Sequence, residues 1–163
     1  LAAVGLLAYN GYTTSAKIAA AKTNLQVISK WLSAESSKVC SANQGRNKNG
    51  MYLDNDSSNY RYFMKCNDDG TALALAASHY FNNNPKFINP YDGKNVIAPK
   101  AVTSSFTCTR SCTKTLSDSY VKKGQIMFFD IGGENKTGVF SNIGDNNGND
   151  KKAWVFIDSP INF

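Results

Sequence analysis

The chain has 163 residues, 42% of them hydrophobic and 12% aromatic, which is enough to bury one core, and no linker marks a second domain. Its formal net charge of +6 favours anionic partners in general, but the lysines are scattered, and only Lys122-Lys123 and Lys151-Lys152 form close pairs. Because the sequence has no Arg-rich run and no nucleic-acid motif, we expect a basic surface that is not dedicated to nucleic acid.

Residues 1–40 are predicted to form one long helix with two parts. Residues 1–9 are all apolar or glycine, and after Asn10-Gly11 the apolar residues become periodic. One row recurs at steps of three and four residues, the spacing of one helix face, and contains Ile18, Ala21, Leu25, Ile28, Leu32 and Val39. We expect this row to pack on the chain's own core.

A second apolar row lies roughly 120° further round the helix, at about 100° per residue. It contains Tyr12, Ala16, Ala20, Val27, Trp31 and Ala34. The sector between the rows is polar and is expected to be solvated, with Lys22, Gln26, Ser29, Lys30 and Ser33. Two apolar rows predict two partners, the chain's own core and a neighbouring helix, which alanine side chains allow to come close. The alternative, that both rows are buried within one domain, stays open.

The first helix should end near Cys40, because residues 41–50 are almost entirely polar. Residues 51–59 are predicted to be a loop, and an apolar patch follows at residues 60–64. The connection between the helix and the last third of the chain is therefore expected to be rich in loops.

A second, short helix is predicted further along this connection. Asp68 or Asp69 can cap it, the apolar residues of 72–81 form its body, and Asn-Asn-Asn-Pro at 82–85 stops it. Residues 87–93, Phe-Ile-Asn-Pro-Tyr-Asp-Gly, then predict a turn. Pro90 fixes its own φ angle, and Gly93 can adopt backbone conformations that other residues rarely reach.

The last third of the chain is predicted to be strands. Residues 125–131 are a largely apolar run, 137–143 are looser, and 153–157 are rich in aromatic and β-branched residues. Glycine-rich and polar segments separate them, which predicts a three-stranded antiparallel meander, extended by residues 104–108. The apolar row within residues 18–39 is the expected cover of this sheet.

Catalytic motifs are missing from the sequence, which has no G-x-S-x-G, P-loop, H-E-x-x-H or G-x-G-x-x-G pattern. The single histidine, His79, cannot supply both a triad and a metal cluster, and we interpret it as a structural or surface imidazole. We therefore expect neither an enzyme nor a resident cofactor.

The four cysteines, Cys40, Cys66, Cys108 and Cys112, lack the close pairs of a zinc site. Disulfides are the better interpretation, and they indicate export to an oxidising compartment. We favour Cys40 with Cys66 and Cys108 with Cys112, because the three residues between the last two can turn. The crossed pairings stay open.

One string of oxygen-bearing side chains is typical of a metal loop: Asp145, Asn147 and Asn149 alternate within residues 145–150. Calcium is the candidate ion. Gly148 is out of place for an EF-hand and no bidentate glutamate follows, so an unliganded polar hairpin is the preferred interpretation.

The segment Leu-Ala-Ala-Val-Gly-Leu-Leu-Ala-Tyr-Asn-Gly-Tyr-Thr at residues 1–13, followed by Ser15-Ala16-Lys17, resembles the part of type IV pilins and pseudopilins where the N-terminal helix leaves the membrane. The likeness is close over roughly the first 25 residues, and the Asn89-Pro90-Tyr91 turn is similar to one in that family. The resemblance implies a processed, membrane-anchoring start upstream and a pilin-like α+β fold, with a long N-terminal helix (1–40) packed on a C-terminal antiparallel sheet. The head (41–163) would form one domain with the later part of the helix.

The function implied by the resemblance is that of a structural subunit of a type IV pilus, an extracellular homopolymer that is reached through the inner membrane and the pilus assembly machinery. Its role would be adhesion, motility or DNA uptake, with surface or DNA ligands undefined. One alternative is a type II secretion or competence pseudopilin, a group in which some members bind calcium near the end of the chain; another is an exported, disulfide-bonded binding domain. The residues expected to carry assembly are Leu1, Val4, Leu6, Leu7, Tyr9, Tyr12 and Ala16.

Overall fold

The computed structural model describes residues 2–41, 52–55, 60–63, 70–83, 85–98, 121–131 and 136–158. Two helices and five strands lie in these ranges, in the order α1 (Ala2–Ser41), β1 (Tyr52–Asn55), β2 (Tyr60–Phe63), α2 (Gly70–Asn83), β3 (Ile126–Ile131), β4 (Lys136–Asn142) and β5 (Lys152–Asp158). The protein therefore has a mixed α+β fold with one long helix. Both predicted helices are present, while Asp68 and Asp69, the candidate caps of α2, lie outside the described residues.

The prediction of a loop over residues 51–59 was wrong in part. Strand β1 pairs antiparallel with β2, with Tyr52 opposite Phe63 and Asn55 opposite Tyr60. A four-residue strand that ends in Asp-Asn carries little sequence signal of its own. Its partner strand supplies the backbone hydrogen bonds that make it a strand.

Strands β3, β4 and β5 form the predicted antiparallel meander, with β4 in the centre. Each strand begins and ends within one residue of its predicted bounds. The register places Phe129 opposite Gly138 and Gly138 opposite Phe156. The expected extension by residues 104–108 lies outside the described residues.

The predicted apolar row of α1 covers one face of the sheet as expected, and α2, which was not predicted to take part, shares this cover. Helix α2 supplies small side chains that allow close packing, and Phe81 stacks on Phe128 of β3 with ring centroids 5.9 Å apart. Each large side chain buried here contributes about 1.5–3 kcal/mol relative to exposure. The buried cluster contains Leu25, Ile28, Leu32, Leu73, Ala74, Ala76, Ala77, Phe81, Val96, Ile97, Ile126, Phe128, Val139 and Ile157.

The opposite face of the sheet is also apolar. Its buried cluster contains Ala98, Val121, Met127, Phe129, Ile131 and Phe140, with Trp154 packed against it. Because β3 contributes alternate side chains to the two clusters, it is apolar on both faces from Ile126 to Phe129, which explains the unbroken apolar run over these four residues.

Ser29 of α1 is a further correction, because it was expected in the solvated sector and is only 5% exposed. It lies one turn from Leu25 and next to Ile28, so the buried sector of the helix is wider than the apolar row. Its hydroxyl oxygen is buried without a hydrogen-bond partner. Lys22, Gln26, Lys30 and Ser33 are exposed as expected.

Candidate functional site

Helix α1 spans 40 residues, which corresponds to about 60 Å at 1.5 Å per residue. The described side chains of this helix are those of residues 13–38, and the first buried one among them is Ile18. About 24 Å of helix therefore precedes Ile18. The backbone of the assembly residues Val4, Leu6, Leu7, Tyr9 and Tyr12 is helical, whereas their side chains, and all of Leu1, lie outside the described set.

Three hydrogen-bond and ring contacts define the direction of α1 along the sheet. Lys17 Nζ lies 5.9 Å from the ring centroid of Tyr91. About two turns further on, Asn24 Nδ2 donates to the carbonyl oxygen of Ile88 at 3.1 Å. The hydroxyl of Ser36 donates to the carbonyl oxygen of Asp158, at the end of β5, at 2.8 Å. The N-terminal part of α1 therefore leaves the sheet at the end where β5 begins.

The second apolar row of α1 stays largely uncovered by the chain. Ala16, Ala20 and Ala34 are exposed, and the Val27 side chain is 44% exposed. We call these four residues the open row. The alternative that both rows are buried within one domain is wrong for them. Of the predicted assembly residues, Ala16 is the one whose side chain the structure describes, and it lies in this row.

Trp31 belongs to the second row by spacing, but it packs on its own domain. Its ring stacks on Tyr80 of α2 with centroids 4.3 Å apart and meets Phe81 edge-on at 4.9 Å. The spacing of α1 cannot reveal this, because the partner ring lies almost fifty residues further along the chain. The open row therefore consists of three alanines and one valine.

The turn at residues 87–93 lies between α1 and the end of the sheet and makes contacts with both. Asn89 is 1% exposed; its Oδ1 accepts from the N–H of Tyr91 at 2.9 Å, and its Nδ2 donates to the carbonyl oxygen of Lys123 at 2.9 Å. The Tyr91 hydroxyl donates to the carbonyl oxygen of Ile143 at 2.7 Å. Burial, with the nearby charge of Asp145, raises the pKa of Tyr91. These contacts confirm the predicted turn and show its partners, which the sequence did not reveal.

The candidate calcium residues form a hydrogen-bonded hairpin. Asp145 Oδ1 accepts from the N–H groups of Asn147 at 2.9 Å and Asn149 at 2.7 Å, and its Oδ2 accepts from Asn149 Nδ2 at 3.2 Å. Lys123 Nζ donates to the carbonyl oxygen of Gly148. The backbone hydrogen bond from Asn149 is the main reason why the pKa of Asp145 is lowered. Both carboxylate oxygens already accept N–H groups, an arrangement typical of an unliganded turn.

The described part of the chain offers few other residues that could form a metal or catalytic site. No group of three or more His, Cys, Asp or Glu residues there could hold a metal ion. Among the described helices, none has the length and apolar character needed to cross a membrane. His79 is half-buried in α2. The disulfide prediction for Cys40, Cys66, Cys108 and Cys112 falls on side chains outside the described set.

Comparison of the chain with protein-family models, with curated proteins and with solved structures found no match.

Proposed function

We propose that this protein is a structural subunit that polymerises into a type IV pilus filament through bundled N-terminal helices. The observation that carries the proposal is the open row: a helix that is packed on its own domain along one side presents a second line of apolar, mostly small side chains to solvent. The resemblance of residues 1–13 to pilins supports the same role.

Small side chains matter because they decide how closely two helices approach. Helix axes pack 8–10 Å apart as a rule, and alanine allows the short end of that range. The open row repeats at steps of four and seven residues, so it stays on one side of α1 from Ala16 to Ala34. A neighbouring helix can therefore contact it continuously over about five turns.

By sequence, the apolar residues 1–9 would extend this contact surface toward the start of the helix. In a bundle of many copies they would be buried by one another, and apolar burial contributes roughly 25 cal/mol per Å². Such contacts are heterologous, with one patch of a subunit on a different patch of the next, and heterologous contacts that do not close into a ring produce open helical filaments. The sheet and its loops would then face outward and carry adhesion, motility or DNA uptake.

Two other functions are consistent with some of these observations. A secretion or competence pseudopilin would use the same helix in a shorter polymer, and the polar hairpin at residues 145–150 is the feature that favours it if calcium binds there. An exported binding domain would use a head surface, for which Phe156, 56% exposed, is the largest exposed apolar side chain described. The open row has no role in that last function.

The direct test places a charge in the open row of the full-length precursor. Ala20→Glu keeps a good helix former, so we expect circular dichroism and thermal stability to be nearly unchanged. We expect filaments to be lost, because the carboxylate would be desolvated between helices. Gln26→Glu, an exposed site on the solvated side of the same helix, makes the same change of charge and is the matched control. Normal filaments from Ala20→Glu would overturn the proposal.

A further inference from the structure

The dipeptide Asn-Gly occurs three times in the chain, at residues 10–11, 49–50 and 147–148. Asparagine loses its amide most easily in this dipeptide, because glycine has no side chain to shield its backbone nitrogen from the carboxamide carbon of the asparagine. Residues 49–50 lie outside the described residues. The structure places the other two copies in different surroundings, and this difference decides where the reaction can occur.

The Asn147-Gly148 copy lies in the hairpin that connects β4 to β5. Both residues are exposed, and Gly148 has a φ angle of 81°. A β-carbon built on Gly148 would meet nothing within 4 Å, so no other part of the chain crowds this residue. The N–H of Gly148 donates to the carbonyl oxygen of Asp145 at 3.1 Å, which is a single hydrogen bond within an exposed turn.

The side chain of Asn147 is not held in place. Its backbone N–H donates to Asp145 Oδ1 at 2.9 Å, but its carboxamide makes no hydrogen bond to any residue that the structure describes. Asn149 differs, because its Nδ2 donates to Asp145 Oδ2 at 3.2 Å and the next residue is an aspartate. Asn146 is followed by another asparagine. Within this hairpin, Asn147 therefore combines an unattached carboxamide with a glycine at the next position.

The Asn10-Gly11 copy lies inside helix α1. In a helix the N–H of each interior residue is bonded to the carbonyl oxygen four residues earlier. Ring closure between an asparagine side chain and the next backbone nitrogen needs a backbone turn that helical φ and ψ angles do not provide. The helix must open around Asn10 first, which breaks several hydrogen bonds together.

We propose that Asn147 is a deamidation site of the folded protein. The backbone nitrogen of Gly148 attacks the Cγ atom of Asn147, a C–N bond closes a cyclic imide, and the amide group leaves as ammonia with the proton of that nitrogen. Water then adds to one of the two imide carbonyls and reopens the ring. One opening gives aspartate, and the other gives isoaspartate, in which the main chain runs through the side-chain carboxyl. The net reaction consumes one water and releases one ammonia.

The products weaken the hairpin in two ways. Either product lowers the formal net charge of +6 by one and places a carboxylate beside Asp145, which repels it. Isoaspartate also adds one carbon to the backbone between the N–H groups of residues 147 and 149, both of which donate to Asp145 Oδ1. The turn cannot keep both bonds unchanged. This proposal concerns the head and is independent of whether the chain polymerises.

The test is peptide mapping by mass spectrometry of the folded 163-residue chain after incubation in mildly alkaline buffer, with the denatured chain incubated in parallel. Because one exposed hydrogen bond holds Gly148, we expect Asn147 in the folded chain to convert within about tenfold of its rate in the denatured chain. Folding should slow the conversion of Asn10 far more. An acidic form that contains isoaspartate should accumulate with time.

Two variants of the hairpin provide the matched controls. Asn147→Gln keeps an amide and the backbone N–H, but its longer side chain closes the ring much less readily, so the acidic form from this hairpin should disappear. Asn146→Gln leaves Asn147-Gly148 intact and should convert like the parent.

Three results would overturn the proposal. The first is an Asn147 that stays intact in the folded chain over the time in which the denatured chain converts it. The second is conversion of Asn146 or Asn149 as fast as that of Asn147. The third is equally fast conversion of Asn10 in the folded chain, because the dipeptide alone, and not its place in the fold, would then set the rate.

Discussion

The ring of Phe129 lies over Gly138, its cross-strand partner, in the space that a β-carbon on Gly138 would occupy. Phe129 also meets Trp154 of β5 edge-on, with centroids 5.5 Å apart, so the ring bridges the three strands. The glycine in the middle strand is therefore a packing requirement of the outer face of the sheet.

Adding one methyl group at Gly138 should destabilise the domain. We expect Gly138→Ala to lower the free energy of unfolding by about 1–3 kcal/mol, because the Phe129 ring must move out of a packed cluster. Chemical denaturation measures this. In the double variant with Phe129→Ala the added cost of Gly138→Ala should fall below 0.5 kcal/mol as a rough bound, because the clash is gone. Additive costs would show that the ring is not the obstacle.

Asp145 should make the stability depend on pH. Its folded-state pKa is lowered by hydrogen bonds from Asn149 and Asn147, with Lys123 nearby, so the ionised form is favoured in the folded state. The stabilisation is present above the ordinary aspartate pKa and disappears as the pH falls through the lowered value. Thermal unfolding from about pH 7 to pH 2.5 should show a steeper loss for the parent than for Asp145→Asn. Identical slopes would mean that the hairpin bonds do not persist in solution.

The hairpin also predicts the response to calcium. Because both oxygens of Asp145 accept N–H groups, we expect melting curves in calcium and in chelator to coincide. If the hairpin bound calcium with a Kd 100-fold below the added calcium concentration, binding would instead raise the free energy of unfolding by about 2.7 kcal/mol. A calcium-dependent rise that Asp145→Ala abolishes would contradict this prediction and favour the pseudopilin alternative.

The cysteines are expected to be oxidised within one chain, and losing either bridge should cost about 2–5 kcal/mol. Mass spectrometry of unreduced protein tests this directly, since free thiols or bound zinc would refute it. Connectivity follows from unfolding measurements: if Cys108 pairs with Cys112, the double serine variant should be no less stable than either single one. A clearly less stable double variant would indicate one of the crossed pairings.

A charge within residues 1–9 should prevent assembly without unfolding the head. We expect Leu6→Asp or Val4→Asp in the full-length precursor to abolish filaments, because a carboxylate in an apolar bundle is costly. The buried cluster described for α1 begins at Ile18 and Leu25, so circular dichroism should show a folded domain. Normal filaments would refute the role in the polymer, and an unfolded domain would place these residues in the subunit's own core.

The sequence by itself determined the elements whose signal is local. The 3.6-residue periodicity of α1, the alanine-rich body of α2 and the three apolar runs predicted helices and strands within one to two residues of their observed ends. Helical and strand periods depend on near neighbours in the chain, so a single sequence is enough to read them. The small residues of the open row were identified in the same way.

Only the tertiary structure decided which surfaces those elements share. Trp31, which the spacing assigned to the second row, stacks on Tyr80 of α2 instead. Strand β1 forms because β2 pairs with it. Helix α2 packs beside α1 on the same face of the sheet. The lysine pairs 122–123 and 151–152, distant in sequence, were brought to one end of the sheet by the pairing of β4 with both β3 and β5. Each of these outcomes depends on contacts between residues distant in the chain, and such contacts form only when the loss of chain entropy is repaid by burial and pairing elsewhere.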